Sequence, residues 1–187
     1  MENSYEELIR NCIQQDRKAQ ELLYHKFSKK MYGVCLGYAK DRDEAKDILQ
    51  EGFIKVFTNL KKYTTDGSFE GWIRRIIVNT AIDHYRKSIN EHHSVNIENI
   101  ADIETDCSVL EAMGAKELIV LIHKLPEGAR IIFNLYVVEG YTHKEIAEIM
   151  NISEGTSKSQ LSRGKQLLQG WLSKIYFTNP IIETTLK

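Results

Sequence analysis

The chain has 187 residues, of which 42% are hydrophobic and 27% charged, so it can bury a core as one domain or as two small ones. Its formal net charge of -1 argues against a uniformly basic protein that coats nucleic acid. Charged or polar residues interrupt every apolar stretch, and the amino terminus lacks a signal-peptide pattern, so we expect a cytoplasmic protein without membrane insertion.

The net charge hides an uneven distribution along the chain. Residues 1–87 hold 16 Lys and Arg against 13 Asp and Glu, and residues 116–187 hold 9 against 7. Residues 88–115 hold no basic residue and 6 acidic ones. We therefore predict two domains, 1–87 and 116–187, joined by an acidic linker at 88–115.

The spacing of apolar residues predicts an all-α fold. Apolar residues recur at steps of three and four, alternating apolar and polar runs are absent from the sequence, and the chain has only 2 prolines. A short helix is expected over residues 4–15, and Asp16 is placed to cap a longer second helix. A third helix follows the turn at 41–43, and Ser68 is placed to cap a fourth.

The third predicted helix carries a face of mixed charge. This face contains Asp43, Glu44, Lys46, Asp47, Gln50, Glu51 and Lys55. It is either a solvated face with pairs such as Glu51 and Lys55, or a docking face for another protein. Gly52 lies in the middle of this helix, where glycine costs about 1 kcal/mol relative to alanine. Close packing at that position would explain the cost.

The fourth predicted helix presents polar side chains that suit contacts with nucleic acid. One face of this helix holds Asn79, Asp83, Arg86 and Lys87. An amide, a carboxylate and two cations on one face suit hydrogen bonds to bases and phosphates. The preceding loop at residues 61–67, with Tyr63 and Gly67, has the composition of a loop that holds an unstacked base. The alternative is a solvated helix face beside a surface loop.

The carboxy-terminal block has the pattern of a helix-turn-helix. Thr142 and Glu145 suit a reciprocal cap for a short helix, and Ser153 suits the cap of the next. The polar residues of that second helix are Lys158, Ser159, Ser162, Arg163 and Lys165. Its apolar row contains Leu161, Leu168, Trp171 and Ile175. This arrangement is typical of a motif that reads the DNA major groove, and the alternative is a plain helical hairpin with a solvated basic face.

The residues that would indicate catalysis or a metal site are scattered. Cys12, Cys35 and Cys107 form no CxxC pair, and we expect reduced thiols, with the first two buried. The pair His92-His93 lies in the acidic linker without partners at ligand spacing. The sequence has no glycine-rich phosphate loop, nucleophile elbow or HExxH motif. We therefore expect no enzymatic activity, no metal and no cofactor.

Taken together, the two blocks resemble a bacterial RNA polymerase sigma factor of the extracytoplasmic-function (ECF) group, in the sigma-70 family. Residues 43–53 (DEAKDILQEGF) are similar to the helix of that family that binds core polymerase, and residues 69–83 (FEGWIRRIIVNTAID) to its −10-element helix. Residues 125–126 (LP), 140–147 (GYTHKEIA) and 153–163 (SEGTSKSQLSR) are similar to its −35-reading domain. The resemblance covers nearly the whole chain, and the joint order and spacing of these motifs is specific.

The resemblance implies an alternative sigma factor that directs core RNA polymerase to promoter DNA and that an anti-sigma factor sequesters. The contacts with core polymerase would come from Asp47, Gln50, Glu51, Phe53 and Lys55. The contacts with the −10 element, including a flipped base at Asn79 and the loop before it, would come from Tyr63, Asn79, Asp83, Arg86 and Lys87. The contacts with the −35 major groove would come from Lys158, Ser159, Ser162 and Arg163.

Some positions depart from the pattern of the family. Ser157 stands where an apolar residue is commoner, which predicts looser packing of the recognition helix. Gln160 replaces a frequent arginine and weakens an expected phosphate contact, and Gly52 replaces a bulkier residue. The tail at 176–187 extends past the last helix of the family.

Two other classes of protein are alternatives. A stand-alone helix-turn-helix transcriptional regulator would use the carboxy-terminal block and bind duplex DNA without polymerase. A metal-dependent nuclease would need clustered carboxylates, and Asp43, Asp47 and Glu51 do form a row at steps of four.

Overall fold

The computed structural model describes residues 3–64, 67–92 and 115–178. All regular secondary structure in these ranges is helical. This confirms the predicted all-α fold. The chain divides into two compact units, Met1–Val95 (unit 1) and Asn96–Lys187 (unit 2). Within the described ranges, no helix has both the length and the apolar character needed to cross a bilayer.

Unit 1 is a set of packed helices, two of which begin at the predicted caps Asp16 and Ser68. Its elements are α1 (Asn3–Ile13), α2 (Arg17–Tyr38), α3 (Arg42–Asn59), a 3-10 turn (Leu60–Lys62) and α4 (Phe69–His92). The carboxylate of Asp16 accepts the amides of Lys18 and Ala19 at 2.8 and 3.0 Å, and Ser68 Oγ accepts the amide of Gly71 at 3.1 Å. Such caps each stabilise a helix by about 1 kcal/mol.

The core of unit 1 lies where α2, α3 and α4 pack on one another. Its fully buried side chains include Leu23, Met31, Ile48, Val56, Ile73, Ile77 and Ile82. Each contributes about 1.5–3 kcal/mol through removal of apolar surface from water. Gly52 allows α3 to approach α4 closely, because a Cβ at this position would overlap Cδ1 of Ile77. The close packing expected at Gly52 is thereby confirmed.

An aromatic cluster closes one end of this core. The Phe69 ring stacks near Trp72 with 5.8 Å between centroids, and Phe27 meets Phe69 edge-on at 5.7 Å. Tyr5 of α1 lies 5.9 Å from both phenylalanine rings. Because Phe69 and Trp72 lie in the first turn of α4, the cluster anchors the amino-terminal end of that helix.

The boundaries of the acidic segment differ from the predicted ones. Helix α4 continues to His92, although residue 88 was expected to begin the linker, and α5 begins at Ala115. Once a helix is nucleated, each further residue adds a hydrogen bond at little cost, so α4 extends beyond its last apolar position. The remainder of the predicted linker, 93–114, which contains Cys107, lies outside the described residues.

Unit 2 is built around its last and longest helix. Its elements are α5 (Ala115–His123), α6 (Glu127–Phe133), a π-helical turn (Asn134–Val138), α7 (His143–Met150) and α8 (Glu154–Thr178). Helices α5, α6 and α7 each pack against α8. A cluster of Leu121, Leu125 and Leu168 with Trp171 joins α5 to α8. Of the tail at 176–187, the positions 179–187 lie outside the described residues.

Candidate nucleic-acid interface

The side chains of α3 that are predicted to bind core polymerase differ in their exposure to solvent. Asp47 and Gln50 are exposed, whereas Glu51 and Lys55 are partly buried. Phe53 is only 2% exposed, and its ring packs edge-on against a tyrosine of α2 with 4.8 Å between centroids. The helical period turns Phe53 into the core, so its side chain does not lie on the predicted surface.

Four side chains form a hydrogen-bonded network between α3 and α4. The ammonium of Lys55 donates to Glu51 Oε1 at 2.9 Å and to Asp83 Oδ2 at 3.2 Å. Nε2 of His84 lies 2.8 Å from Glu51 Oε2. The predicted pairing of Glu51 with Lys55 is confirmed. Residues predicted for two different partners, polymerase and DNA, therefore contact one another in this structure.

The network stabilises the charged forms of Glu51 and Lys55. Hydrogen bonds from Lys55 and His84 lower the pKa of Glu51. Burial disfavours the ammonium of Lys55, but bonds to Glu51 and Asp83 outweigh burial and raise its pKa. The side chains of Glu51 and Lys55 are each 36% exposed. Solvent therefore screens each pair to roughly 0.2–1 kcal/mol.

Two of the four residues of α4 that are predicted to contact the −10 element are exposed. Asn79 and Lys87 are exposed, whereas Arg86 and Asp83 are partly buried and Asp83 is engaged with α3. Arg75 is exposed one helical turn before Asn79. It was not among the predicted site residues, although its spacing of four from Asn79 indicates a shared face.

Tyr63, in the segment that precedes α4, makes two aromatic contacts and one hydrogen bond. The Tyr63 ring lies 4.9 Å from Phe69 and 5.5 Å from Trp72 between centroids, and its hydroxyl donates to the carbonyl of Gly67 at 3.0 Å. Gly67 has a φ of 122°, a backbone conformation that favours glycine. Residues 65–66 of the predicted loop lie outside the described residues. Tyr63 thus forms a partly exposed wall beside the amino terminus of α4.

The helix-turn-helix of unit 2 is capped at each predicted position. Thr142 Oγ1 accepts the amide of Glu145 at 3.2 Å, and the Glu145 carboxylate accepts the amide of Thr142 at 2.8 Å. Asn151 ends α7 in the left-handed conformation, with a φ of 54°. Ser153 Oγ accepts the amide of Thr156 at 3.0 Å and starts α8. These contacts confirm the predicted reciprocal cap and the predicted cap of the second helix.

The first turns of α8 separate an inward row from an outward row. The buried inward row consists of Ser157, Leu161, Gly164 and Leu168. The exposed outward row consists of Lys158, Ser159, Ser162 and Arg163. Lys158 pairs with Glu154 of the same helix at 3.3 Å. Two cations and two hydroxyls on one exposed face suit hydrogen bonds to base edges and phosphates.

Ser157 packs differently from the expectation based on its polarity. It is 0% exposed, and its Oγ lies 2.9 Å from Nδ1 of His143, the first residue of α7. The predicted looser packing at this position was wrong, because a hydrogen bond across the motif satisfies the hydroxyl. His143 was not among the predicted site residues, and the signal for it is the need of a buried polar group for a polar partner.

The acidic row of α3 is already engaged in part with cations. Asp43 Oδ1 accepts from Lys46 at 2.8 Å, and Glu51 bonds to Lys55 and His84. Among the residues that the structure describes, no group of three or more His, Cys, Asp or Glu side chains is arranged to hold a metal ion. The arrangement therefore offers no support for the nuclease alternative.

Comparisons with known families match both units. Residues 23–89 match the family described as Sigma-70 region 2, and residues 115–168 match Sigma-70, region 4. The first match contains α3 and most of α4 with the network between them, and the second contains α7 and the first part of α8. Both matches fall on the segments that carry the candidate contact residues.

Curated relatives extend the similarity along the chain. The chain is 28% identical over 174 residues to the ECF RNA polymerase sigma-E factor of Haemophilus influenzae, covering 87% of this chain and 92% of that protein. It is 29% identical over 175 residues to the RNA polymerase sigma-H factor of Pseudomonas aeruginosa, covering 87% and 91%. It is also 26% identical over 181 residues to the ECF sigma factor SigW of Bacillus subtilis, covering 90% and 97%.

A solved structure shares the fold. The sigma factor RpoE of Bartonella quintana, crystallised in complex with the anti-sigma factor NepR, aligns with a TM-score of 0.54 at 18% identity, covering 82% of this chain and 96% of that one. The two family matches in this order, the near full-length relatives and the helical architecture agree with one another. The chain belongs to the sigma-70 family, and within it to the extracytoplasmic-function group of sigma factors.

Proposed function

We propose that the two units of this alternative sigma factor, which directs core RNA polymerase to promoters, divide promoter recognition between them. Unit 1 binds core polymerase and the −10 element, and unit 2 binds the −35 element. The observation that carries the second assignment is the separation of α8 into a buried row and an exposed polar row. The proposed domains are 1–87 and 116–187, joined by the acidic linker 88–115, and the family matches at 23–89 and 115–168 support a division of this kind.

The polymerase contact is assigned to the exposed part of α3. Asp47 and Gln50 offer a carboxylate and an amide at the surface. Glu51 and Lys55 contribute mainly by holding α3 against α4 through Asp83 and His84. Polymerase bound at α3 therefore contacts a helix that is bonded to α4. Helix α4 carries the contacts to the −10 element.

The −10 contact is assigned to exposed and partly exposed side chains of α4 and of the segment before it. Asn79, with Tyr63 in the segment before the helix, holds the flipped base, because an amide reads a base edge and an aromatic ring supports stacking. Lys87 and Arg86 neutralise adjacent phosphates. Asp83 acts through its bond to Lys55 of α3.

The −35 contact is assigned to the outward row of α8. Arg163 and Lys158 supply the cationic donors, and Ser159 and Ser162 supply hydroxyls within the same two turns. An arginine that binds guanine through O6 and N7 contributes roughly 1–3 kcal/mol of discrimination. The near-neutral net charge of -1 fits a subunit that core polymerase delivers to DNA.

The partners follow from this assignment. The protein acts with core RNA polymerase on promoter DNA in the cytoplasm, without catalytic chemistry, metal or cofactor of its own. The Bartonella quintana relative in fold was crystallised with an anti-sigma factor. We expect an anti-sigma factor to hold this chain inactive by covering the same surfaces.

Reconstitution with polymerase tests the proposed function. Purified full-length protein is added to sigma-free core polymerase on genomic DNA, and transcription starts are mapped; we expect starts at a discrete set of promoters that share −35 and −10 elements. Core polymerase alone is the control. Sequence-specific binding to duplex DNA without polymerase, with no promoter-specific transcripts from active core, would overturn the proposal in favour of a stand-alone regulator.

A further inference from the structure

Ser157 places a hydroxyl inside the contact between the two helices of the helix-turn-helix. It lies in the first turn of α8, on the inward row, and is fully buried. A buried hydroxyl without a partner costs about 1–3 kcal/mol, which would loosen this contact if nothing satisfied the oxygen. The identity of its partner therefore decides how firmly α8 is held.

His143 is that partner. It is the first residue of α7, and its Nδ1 shares a hydrogen bond of 2.9 Å with Ser157 Oγ. Either group can donate this bond, depending on the tautomer of the imidazole. The bond joins residues 14 positions apart, so it links the start of α7 to the first turn of α8.

The imidazole is itself held in place by the π-helical turn. Its ring stacks on Tyr136 with 4.5 Å between centroids and an interplanar angle of 23°. The ammonium of Lys165 lies 5.9 Å from the centroid of the same tyrosine ring. The Tyr136–His143 pair thus meets α8 at Ser157, and the side chain of Lys165 farther along α8 lies near the same tyrosine ring. The stacked tyrosine limits rotation of the imidazole, so the direction of the bond to Ser157 is defined.

Helix α7 has little rigidity of its own. It contains 8 residues, and isolated helices shorter than about 12 residues are marginal in water. Its other anchors are the buried side chains Ile146 and Met150. Apolar contacts of this kind tolerate sliding better than a hydrogen bond with a defined length and direction.

We propose that His143 is a positioning residue for −35 recognition: its bond to Ser157, braced by Tyr136, sets the angle at which α8 presents its outward row to DNA. This inference rests on the proposed function of unit 2. Lys158 directly follows Ser157, so a tilt of the first turn of α8 displaces a predicted DNA contact. Recognition groups need placement to within about 0.5 Å, so a small tilt reduces discrimination.

A double-mutant cycle with the reconstituted holoenzyme tests this role. The variants are H143L, S157A, their combination and H143N; the last keeps a hydrogen-bonding atom one bond from Cγ, as Nδ1 is in histidine. Q169A, an exposed position farther along α8, is the matched control. The readout is the Kd of each holoenzyme for a fluorescent promoter duplex with its −35 element, relative to the same duplex with that element scrambled. Thermal unfolding by circular dichroism sets an assay temperature at which all variants are folded.

The expected pattern is specific to a positioning role. H143L and S157A each lower −35 discrimination about tenfold, and their combination lowers it no further. H143N, which keeps the hydrogen bond but not the ring stacked on Tyr136, recovers part of the loss, and Q169A stays close to the parent. Should H143L not fold, S157A and H143N carry the test. A variant set that melts at lower temperature yet discriminates fully when folded would overturn the inference, as would additive losses. A parent holoenzyme without any −35 discrimination would instead refute the proposed function, and the inference with it.

Discussion

At the scale of single residues, charge pairing in unit 1 extends beyond the one pair that the sequence predicted. The spacing of four predicted the pair of Glu51 and Lys55, and that pair is present. The bonds to Asp83 and His84 come from another helix, so no local spacing could indicate them. Residues whose type suggests contacts with a partner can thus be bonded to other residues of the same protein.

Acid should weaken this network through Glu51. Its folded-state pKa is lowered from the ordinary value of 4.5, first by the bond from Lys55 and then by that from His84. The stabilisation is complete above about pH 4.5 and is lost as the pH falls through the lower folded pKa. We expect Glu51→Gln to cost about 0.5–1 kcal/mol at pH 7, screened by solvent, and this cost to shrink as the pH falls below about 4.5.

Urea unfolding across this pH range measures the effect. Asp47→Asn, which alters an exposed carboxylate one turn earlier on α3, is the control and should change the free energy of unfolding little at any pH. A cost of Glu51→Gln that stays constant down to the acid limit would show that the network does not depend on the carboxylate charge.

At the scale of elements, local signals located the helices and the residues that cap them, but not the end of α4. The caps at Asp16, Ser68, Thr142 and Ser153 were predicted from residue type and are confirmed, because capping is a contact within a few residues of sequence. The extension of α4 to His92 was missed, because the boundary at residue 88 was predicted from the change in charge, although Ile89 continues the spacing of Ile82 and Tyr85.

The contact of α3 with α4 at Gly52 yields a steric prediction. Gly52→Ala would overlap Cδ1 of Ile77, and overpacking of this kind costs about 1–3 kcal/mol, partly offset by about 1 kcal/mol of helix propensity. Ile77→Val removes the overlapping carbon. We therefore expect the double variant to be more stable, by about 1 kcal/mol, than the sum of the two single effects. Denaturant unfolding of all four proteins measures this coupling, and strict additivity would contradict close packing here.

At the scale of the whole molecule, the proposed division of labour predicts separable losses. Arg163→Ala should cost roughly 1–3 kcal/mol of holoenzyme binding on a promoter with its −35 element and almost nothing on one without it. Asn79→Ala should show the same dependence on the −10 element. Quantitative transcription from four promoters, with each element intact or scrambled, checks both statements. A loss from either variant that ignores the state of its own element would contradict the assignment.

Residue order alone determined the all-α class, the capped helix-turn-helix and the membership of the family, because helical periodicity, capping and motif spacing are properties of neighbouring residues. Tertiary structure decided which candidate side chains reach the surface. Asp83 bonds to Lys55 of the neighbouring helix, and Ser157 is buried against His143. Each outcome depends on a contact between helices, and the chain acquires such contacts only when distant segments pack together.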